Sequence, residues 1–212
     1  RMEKNLRDKE DRTEAFIELS KRVGKERVVW RYDPIILNSF LTLDYHRQAF
    51  IRLCEKLSPY TECVTISFVD LYPKLKTDLL RPITPEEMAV LSEYIGRTAR
   101  EYGLVPKACC EAMDFSSCGI GSAGCIDRSR IEKLIGCPLA IGPDKNQRAG
   151  CGCVESVDIG AYDTCLNGCV YCYANRGPDT ARRRFERHDP LGEMLIGGLQ
   201  EGDKVTEKPA VS

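Results

Sequence analysis

The stretch Thr84–Cys110, TPEEMAVLSEYIGRTAREYGLVPKACC, decides the fold class. Its opening, Thr84–Pro85–Glu86–Glu87, has the pattern of a capping box with proline at the first helical position. The threonine oxygen takes a first-turn amide, and the glutamate three residues on reaches back to the cap. Met88, Leu91, Ile95 and Ala99 then recur at helical spacing up to Tyr102, and Gly103 stops the helix. Leu104–Cys110 predicts a strand directly after it. A capped amphipathic helix running straight into an apolar strand is part of a parallel βα repeat.

The same alternation recurs upstream. Lys9–Arg22 predicts a helix with Phe16, Leu19 and Val23 toward the core and Gly24 as its stop, and Val28–Tyr32 predicts a strand ending at Asp33–Pro34. Thr42–Leu57 predicts a helix with Ala49, Phe50, Leu53, Cys54 and Leu57 on one face, closed by Ser58–Pro59. Cys63–Val69 predicts a strand ending at Asp70, and Ser129–Ile135 a short helix capped by Asp127. Strands alternating with helices imply an α/β fold, closed as a (β/α) barrel or wound as an open sheet. Either form collects ligands at the carboxyl ends of its strands, where Asp33, Asp70, Cys110 and Glu111 fall. For the carboxylates, marking the solvent edge is explanation enough; for Cys110 it is less so. Three βα units do not close a barrel. The expectation is a partial barrel whose amino-terminal portion is missing or is supplied by a second chain.

Composition narrows the function classes. Apolar residues make up 42% and charged residues 30%, with a net charge of −1, as in a soluble globular protein without a strong general affinity for nucleic acid or anionic membrane. There is no run of about 18 apolar residues and no signal-peptide pattern, so a cytoplasmic protein without a membrane span is expected. The basic run Arg182, Arg183, Arg184 and Arg187 reads as a solvated helix face. Twelve cysteines stand against two histidines, and ten of the cysteines lie between Cys109 and Cys172. A secreted disulfide scaffold is usually short and carries a signal, so this clustering favours thiolate metal ligation in a reducing compartment.

The texture changes after Cys110. Gly119, Gly121 and Gly124 make a loop, Asp144–Cys153 (DKNQRAGCGC) is a polar loop, and Val154–Ile159 predicts one more strand. The domain division is therefore 1–110 for the βα repeats and 111–153 for cysteine-rich loops. Residues 154–190 hold a strand, a cysteine loop and a basic helix near Thr180–Arg187, and 191–212 a mobile tail.

Cys165, Cys169 and Cys172 have the spacing C-x3-C-x2-C within TCLNGCVYCYAN. A compact loop of this kind can give one thiolate to each of three irons of a [4Fe–4S] cluster. No cysteine follows Cys172, so the fourth iron stays open unless an upstream thiolate closes it. An open iron can chelate the amino and carboxylate groups of S-adenosylmethionine. Gly168 lets the backbone pass close to the cluster. Tyr171 is placed to lie beside the adenine, and Tyr173 and Asn175 to contact the same cofactor, though a tyrosine packing beneath the loop serves equally. The pair C-x2-C also occurs in zinc knuckles.

The run DIGAYDTCLNGCVYCYAN resembles the cluster loop of the radical SAM superfamily, especially its spore photoproduct lyase-like branch. Over nearly its whole length the chain resembles the family called domain of unknown function 1848. The matching stretches are VVWRYDPI, CGIGSAGCID, DKNQRAGCGCVESVDIGAY and the cluster loop. The superfamily resemblance implies reductive cleavage of S-adenosylmethionine, with an electron donor such as flavodoxin or ferredoxin. The superfamily's cluster loop follows the first barrel strand, whereas here only 40 residues follow Cys172. A circular permutation, with Val154–Ile159 in the first-strand position, reconciles the two.

Cys110, Cys125, Cys151 and Cys153 form a second candidate set, for another iron–sulfur cluster or for a structural zinc in its place. Cys109, Cys118 and Cys137 are substitutes for any one of them, and Cys54 and Cys63 fall at buried apolar positions. Arg31 and Asp33 suit either an internal ion pair or a substrate or cofactor carboxylate. Two functions compete. One is a radical S-adenosylmethionine enzyme with an unassigned substrate; the other is a noncatalytic metal-stabilised or electron-transfer module with every metal position closed by protein.

Overall fold

The computed structural model describes residues 2–75, 77–148 and 150–207. Two compact units form: residues 7–157, and residues 158–212 together with 1–6. In the larger unit, α1 (Lys9–Val23), β1 (Trp30–Ile35), α2 (Leu43–Leu57), β2 (Cys63–Phe68), α3 (Pro85–Glu101) and β3 (Val105–Cys109) alternate as expected. They are followed by β4 (Gly121–Ala123) and α4 (Arg128–Ile135). The capping box at Thr84 is present, with its oxygen taking the Glu87 amide and the Glu87 carboxylate taking the Thr84 amide. Asp8, Thr42 and Asp127 cap α1, α2 and α4, each through a side-chain oxygen that takes a first-turn amide.

All four strands are parallel, in the order β1-β2-β3-β4. Right-handed crossovers that always step the same way put their helices on one face of the sheet. The core lies there: Trp30, Val64, Ile66 and Ala108 pack against Phe50 and Cys54 of α2 and Leu91, Ile95 and Ala99 of α3. Strand side chains alternate, so Arg31, Asp33, Thr65, Ser67, Lys107 and Cys109 point to the opposite face. Parallel strands are usually apolar on both faces; this sheet has one apolar and one polar face.

Three expectations are corrected. Val154–Ile159 lies outside the sheet, with only an isolated bridge from Val154 to Pro143. The fourth place is taken by Gly121–Ala123, from the glycine loop, so the circular permutation through Val154–Ile159 is excluded. Its apolar residues fooled the pattern because Val157 and Ile159 are solvent-exposed. β1 does not stop at Asp33–Pro34 but runs through it to Ile35, over a cis peptide bond. Leu19 and Val23 are exposed, and α1 packs through Phe16 and Ile17 instead.

The smaller unit contains one helix, α5 (Pro178–Phe185), among its described residues. Residues 191–207 make turns, bends and chain without regular secondary structure, and 208–212 of the expected tail fall outside the described residues. No described helix is long and apolar enough to cross a membrane.

Candidate metal-binding sites

The C-x3-C-x2-C loop is held at both ends. Asp163 closes its base: the Asp163 amide donates to the Ala174 carbonyl at 3.0 Å, bracketing the three cysteines. The Asp163 carboxylate takes the Arg176 amide at 2.5 Å and Arg176 Nε at 2.8 Å. These bonds, the backbone one first, hold its pKa below the ordinary aspartate value. Asn175 Nδ2 donates to the Cys165 carbonyl at 2.6 Å. Gly168 takes φ +66°, the left-handed turn that glycine adopts without strain.

The other edge of the loop is held by the first residues of the chain. Glu3 pairs antiparallel with Cys169, the Val170 amide donates to the Met2 carbonyl at 2.9 Å, and the Asn5 amide to the Asn167 carbonyl at 3.0 Å. Tyr171 donates its hydroxyl to Glu3. Burial, reinforced by the Glu3 carboxylate, raises the phenol pKa far above its usual value, so Tyr171 stays protonated. Tyr171 thus anchors the loop to the chain's start. Tyr173 is exposed and sits edge-on to Tyr162, with centroids 6.4 Å apart.

Cys165 is exposed, and Cys169 and Cys172 are half-buried. Burial, followed by the charges of Glu3, Cys172 and Cys165, raises the Cys169 pKa. Cys169 thus feels both of the other thiols of its loop. Among the described residues, no three His, Cys, Asp or Glu side chains form a single-ion cage. A cubane does not require one, because each of its thiolates caps a different iron. A loop with three cysteines, braced at both ends and with Cys165 exposed, fits a three-cysteine cluster.

The larger unit gathers a second group of thiols on the polar face of the sheet. Cys109 Sγ lies 3.5 Å from Cys125 Sγ, and Arg31 Nη1 donates to Cys125 Sγ at 3.4 Å. Arg31 is also paired with Asp33, Nε to Oδ2 at 3.0 Å, so the internal ion pair is realised. Cys153 is buried, and its sulfur takes the amides of Cys125 at 3.1 Å and Ile126 at 3.3 Å. The Cys109–Cys125 contact, helped by Arg31, lowers the Cys109 pKa to about 7, while the same contact and burial raise that of Cys125 against the pull of Arg31: the pair gives up one proton readily and the second reluctantly. Cys151 interacts with Cys153, Cys110 and Cys109.

Of the expected second set, Cys125, Cys151 and Cys153 come together with Cys109. Cys110, at φ 53°, acts on Cys151 and also lines a cavity of about 230 Å3 with Glu111, Met113 and Phe115. Burial raises the Glu111 pKa, while its Oε1 accepts the Phe68 amide at 2.8 Å. Of the remaining cysteines, Cys137 is exposed, Cys118 packs against the core, Cys63 takes Arg130 Nη1 at 3.1 Å, and burial pushes Cys54 up to about 12. Beside the thiol group, Arg31, Thr65, Lys107, Cys125, Asp127 and Arg130 border a cavity of about 200 Å3. Sequence inspection held Cys109 only as a substitute ligand and missed Glu3 as an anchor. Strand alternation supplied the signal for the first, since Ala108 faces the core. Nothing local signalled the second, a contact across 168 residues.

Fold and sites define a cysteine-rich α/β protein with two separate thiol groups. The chain belongs to the family described as Domain of unknown function (DUF1848), whose family model matches residues 1–174 and so runs through Cys172. No curated protein and no solved structure gives a match.

Proposed function

We propose that the chain is an iron–sulfur protein whose Cys165, Cys169 and Cys172 hold a [4Fe–4S] cluster, and that it acts as an S-adenosylmethionine-dependent enzyme. The observation that carries this reading is a single loop bearing three cysteines, braced at its base by Asp163 with Arg176 and at its outer edge by Glu3 with Tyr171. When bound, such a cluster supplies the electron for reductive cleavage of the sulfonium cofactor. The protein's own part is to hold and orient. Cys165, Cys169 and Cys172 bind; Gly168 turns the backbone; Asp163 with Arg176 fixes the base; Glu3 with Tyr171 fixes the outer edge. A donor of the flavodoxin or ferredoxin class supplies the electron, and the substrate is unassigned. The sequential order of four parallel strands, with helices on one face and charged side chains on the other, supports a partial (β/α) barrel whose polar face is its interior.

Anaerobic reconstitution tests this reading. The intact chain should take up about four iron and four sulfide more than a chain with Cys165, Cys169 and Cys172 all changed to Ala. Equal uptake by the two would remove the loop from consideration.

A further inference from the structure

We propose that Cys109, Cys125, Cys151 and Cys153 form a second metal centre, a four-thiolate site for one tetrahedral soft ion of the zinc class. This goes beyond the cluster loop and uses none of its residues.

The first argument is distance. Two thiolates at about 2.3 Å from one tetrahedral ion lie about 3.7 Å apart. Cys109 and Cys125 are separated by 3.5 Å, the spacing of two ligands on one ion. A cubane would place them on different irons and farther apart.

The second argument is where the donors point. Two backbone amides, from Cys125 and Ile126, converge on Cys153 Sγ. Arg31 Nη1 donates to Cys125 Sγ. A neutral thiol is a weak acceptor, whereas metal-bound thiolates are strong ones. Four thiolates on a divalent ion carry a net charge of about −2. Arg31 and the amides are disposed to offset it.

The third argument is the backbone. A Cβ on Gly124 would lie 2.6 Å from the Gly152 carbonyl oxygen, so glycine is needed for the two cysteine-bearing turns to touch. The Val154 amide donates to the Ile126 carbonyl at 3.1 Å and the Asp144 amide to the Cys153 carbonyl at 3.0 Å, locking the contact. Among its described residues, segment 110–153 contributes only Phe115 and Ile120 to the buried residues of the main core, so a metal staple to the end of β3 supplies what packing does not. The four sulfurs do not yet converge on a single point. Binding draws the Cys151–Cys153 turn onto the Cys109–Cys125 pair and releases the thiol protons. No electron is transferred.

The test uses the full chain with Cys165, Cys169 and Cys172 changed to Ala, so that the cluster loop contributes no metal. Purified under reductant, it should retain one zinc per chain, and cobalt should replace that zinc with the intense sulfur-to-metal absorption of four thiolates. Cys109→Ser and Cys125→Ser should lose the metal, Arg31→Met should weaken it by about tenfold, and Cys110→Ser should keep it. If the serine variants do not fold, the cobalt spectrum and X-ray absorption of the parent chain decide by counting sulfur ligands. Retention of no metal, a cobalt site dominated by oxygen or nitrogen, uptake of iron with sulfide here, or a Cys109–Cys125 disulfide under reductant would each overturn the proposal. So would loss of metal in Cys110→Ser with retention in Cys109→Ser. The cluster-loop reading is untouched by any of these results.

Discussion

Gly124 and Gly152 meet backbone to backbone: a Cβ on Gly124 would lie 2.6 Å from the Gly152 carbonyl oxygen and 2.8 Å from the Cys153 nitrogen. Neither neighbour is the end of a flexible side chain, so the turns would have to separate. Gly124→Ala should destabilise the chain by about 1–3 kcal/mol. Gly121→Ala is the control, because its Cβ would meet nothing within 4 Å, and its effect should stay within about 0.5 kcal/mol. Urea denaturation midpoints compare them; equal shifts would count against the close approach.

Tyr171→Phe removes the hydroxyl that Glu3 accepts. A hydrogen bond to a charged group is worth about 1.5–3 kcal/mol where it is shielded from water. Hydrogen exchange at residues 165–172 should therefore accelerate in Tyr171→Phe and in Glu3→Ala. The double variant should be little worse than either single one, since both delete the same contact. Additive effects would mean the two residues act separately.

His46 gives a pH dependence with a definite sign. Its Nε2 lies 2.9 Å from the Ile36 carbonyl, which can only accept, so Nε2 carries the proton and Nδ1 accepts from the Tyr32 hydroxyl at 2.7 Å. Burial, with Lys9 nearby, depresses its pKa below the ordinary 6.5. Tyr45 and Tyr32 pack edge-on against the ring and bring no compensating charge. As pH falls below 6.5, the unfolded chain takes up a proton that the folded chain refuses, and stability drops. The slope should approach about 1.4 kcal/mol per pH unit until the folded-state pKa is reached. Denaturation between neutral pH and pH about 5 should show it, and His46→Gln should flatten it. An unchanged slope in that variant would assign the effect elsewhere.

Asp127 both caps α4 and pairs across the polar face, accepting the Arg130 amide at 3.1 Å and Lys107 Nζ at 2.6 Å. Although burial opposes the charge, Lys107 and Ser129 hold its pKa down to about 2. Asp127→Asn keeps the cap and loses the ion pair; Asp127→Ala loses both. The alanine variant should be the less stable by about 1 kcal/mol, measured by thermal or urea unfolding. Equal losses would mean that the cap contributes nothing beyond the charge.

Most of the larger unit was legible because its signals are local. The Thr84 capping box, the Asp127 cap and the apolar faces of α2 and α3 are set by residues within a few positions of one another. Val154–Ile159 failed because alternating apolar residues state only a capacity to pair, and β4 occupies the sheet position beside β3. Gly121–Ala123 carries no strand signal, being short and poor in branched residues. For the sites, spacing marked Cys165, Cys169 and Cys172, which share one loop. The second group depends on three separated segments meeting, and Cys109 reaches Cys125 through the parity of one strand. Glu3 was unreadable for the same reason: nothing near position 3 anticipates a partner at position 171.

The central claim is an open iron on the Cys165–Cys172 loop. Electron paramagnetic resonance of the reduced, reconstituted chain, with and without S-adenosylmethionine, tests it most directly. The expected result is a [4Fe–4S] signal that shifts on adding the cofactor, accompanied by formation of 5′-deoxyadenosine, and absent from the Cys165, Cys169 and Cys172 alanine variants. A signal indifferent to the cofactor would contradict the claim and leave a closed, noncatalytic cluster in its place.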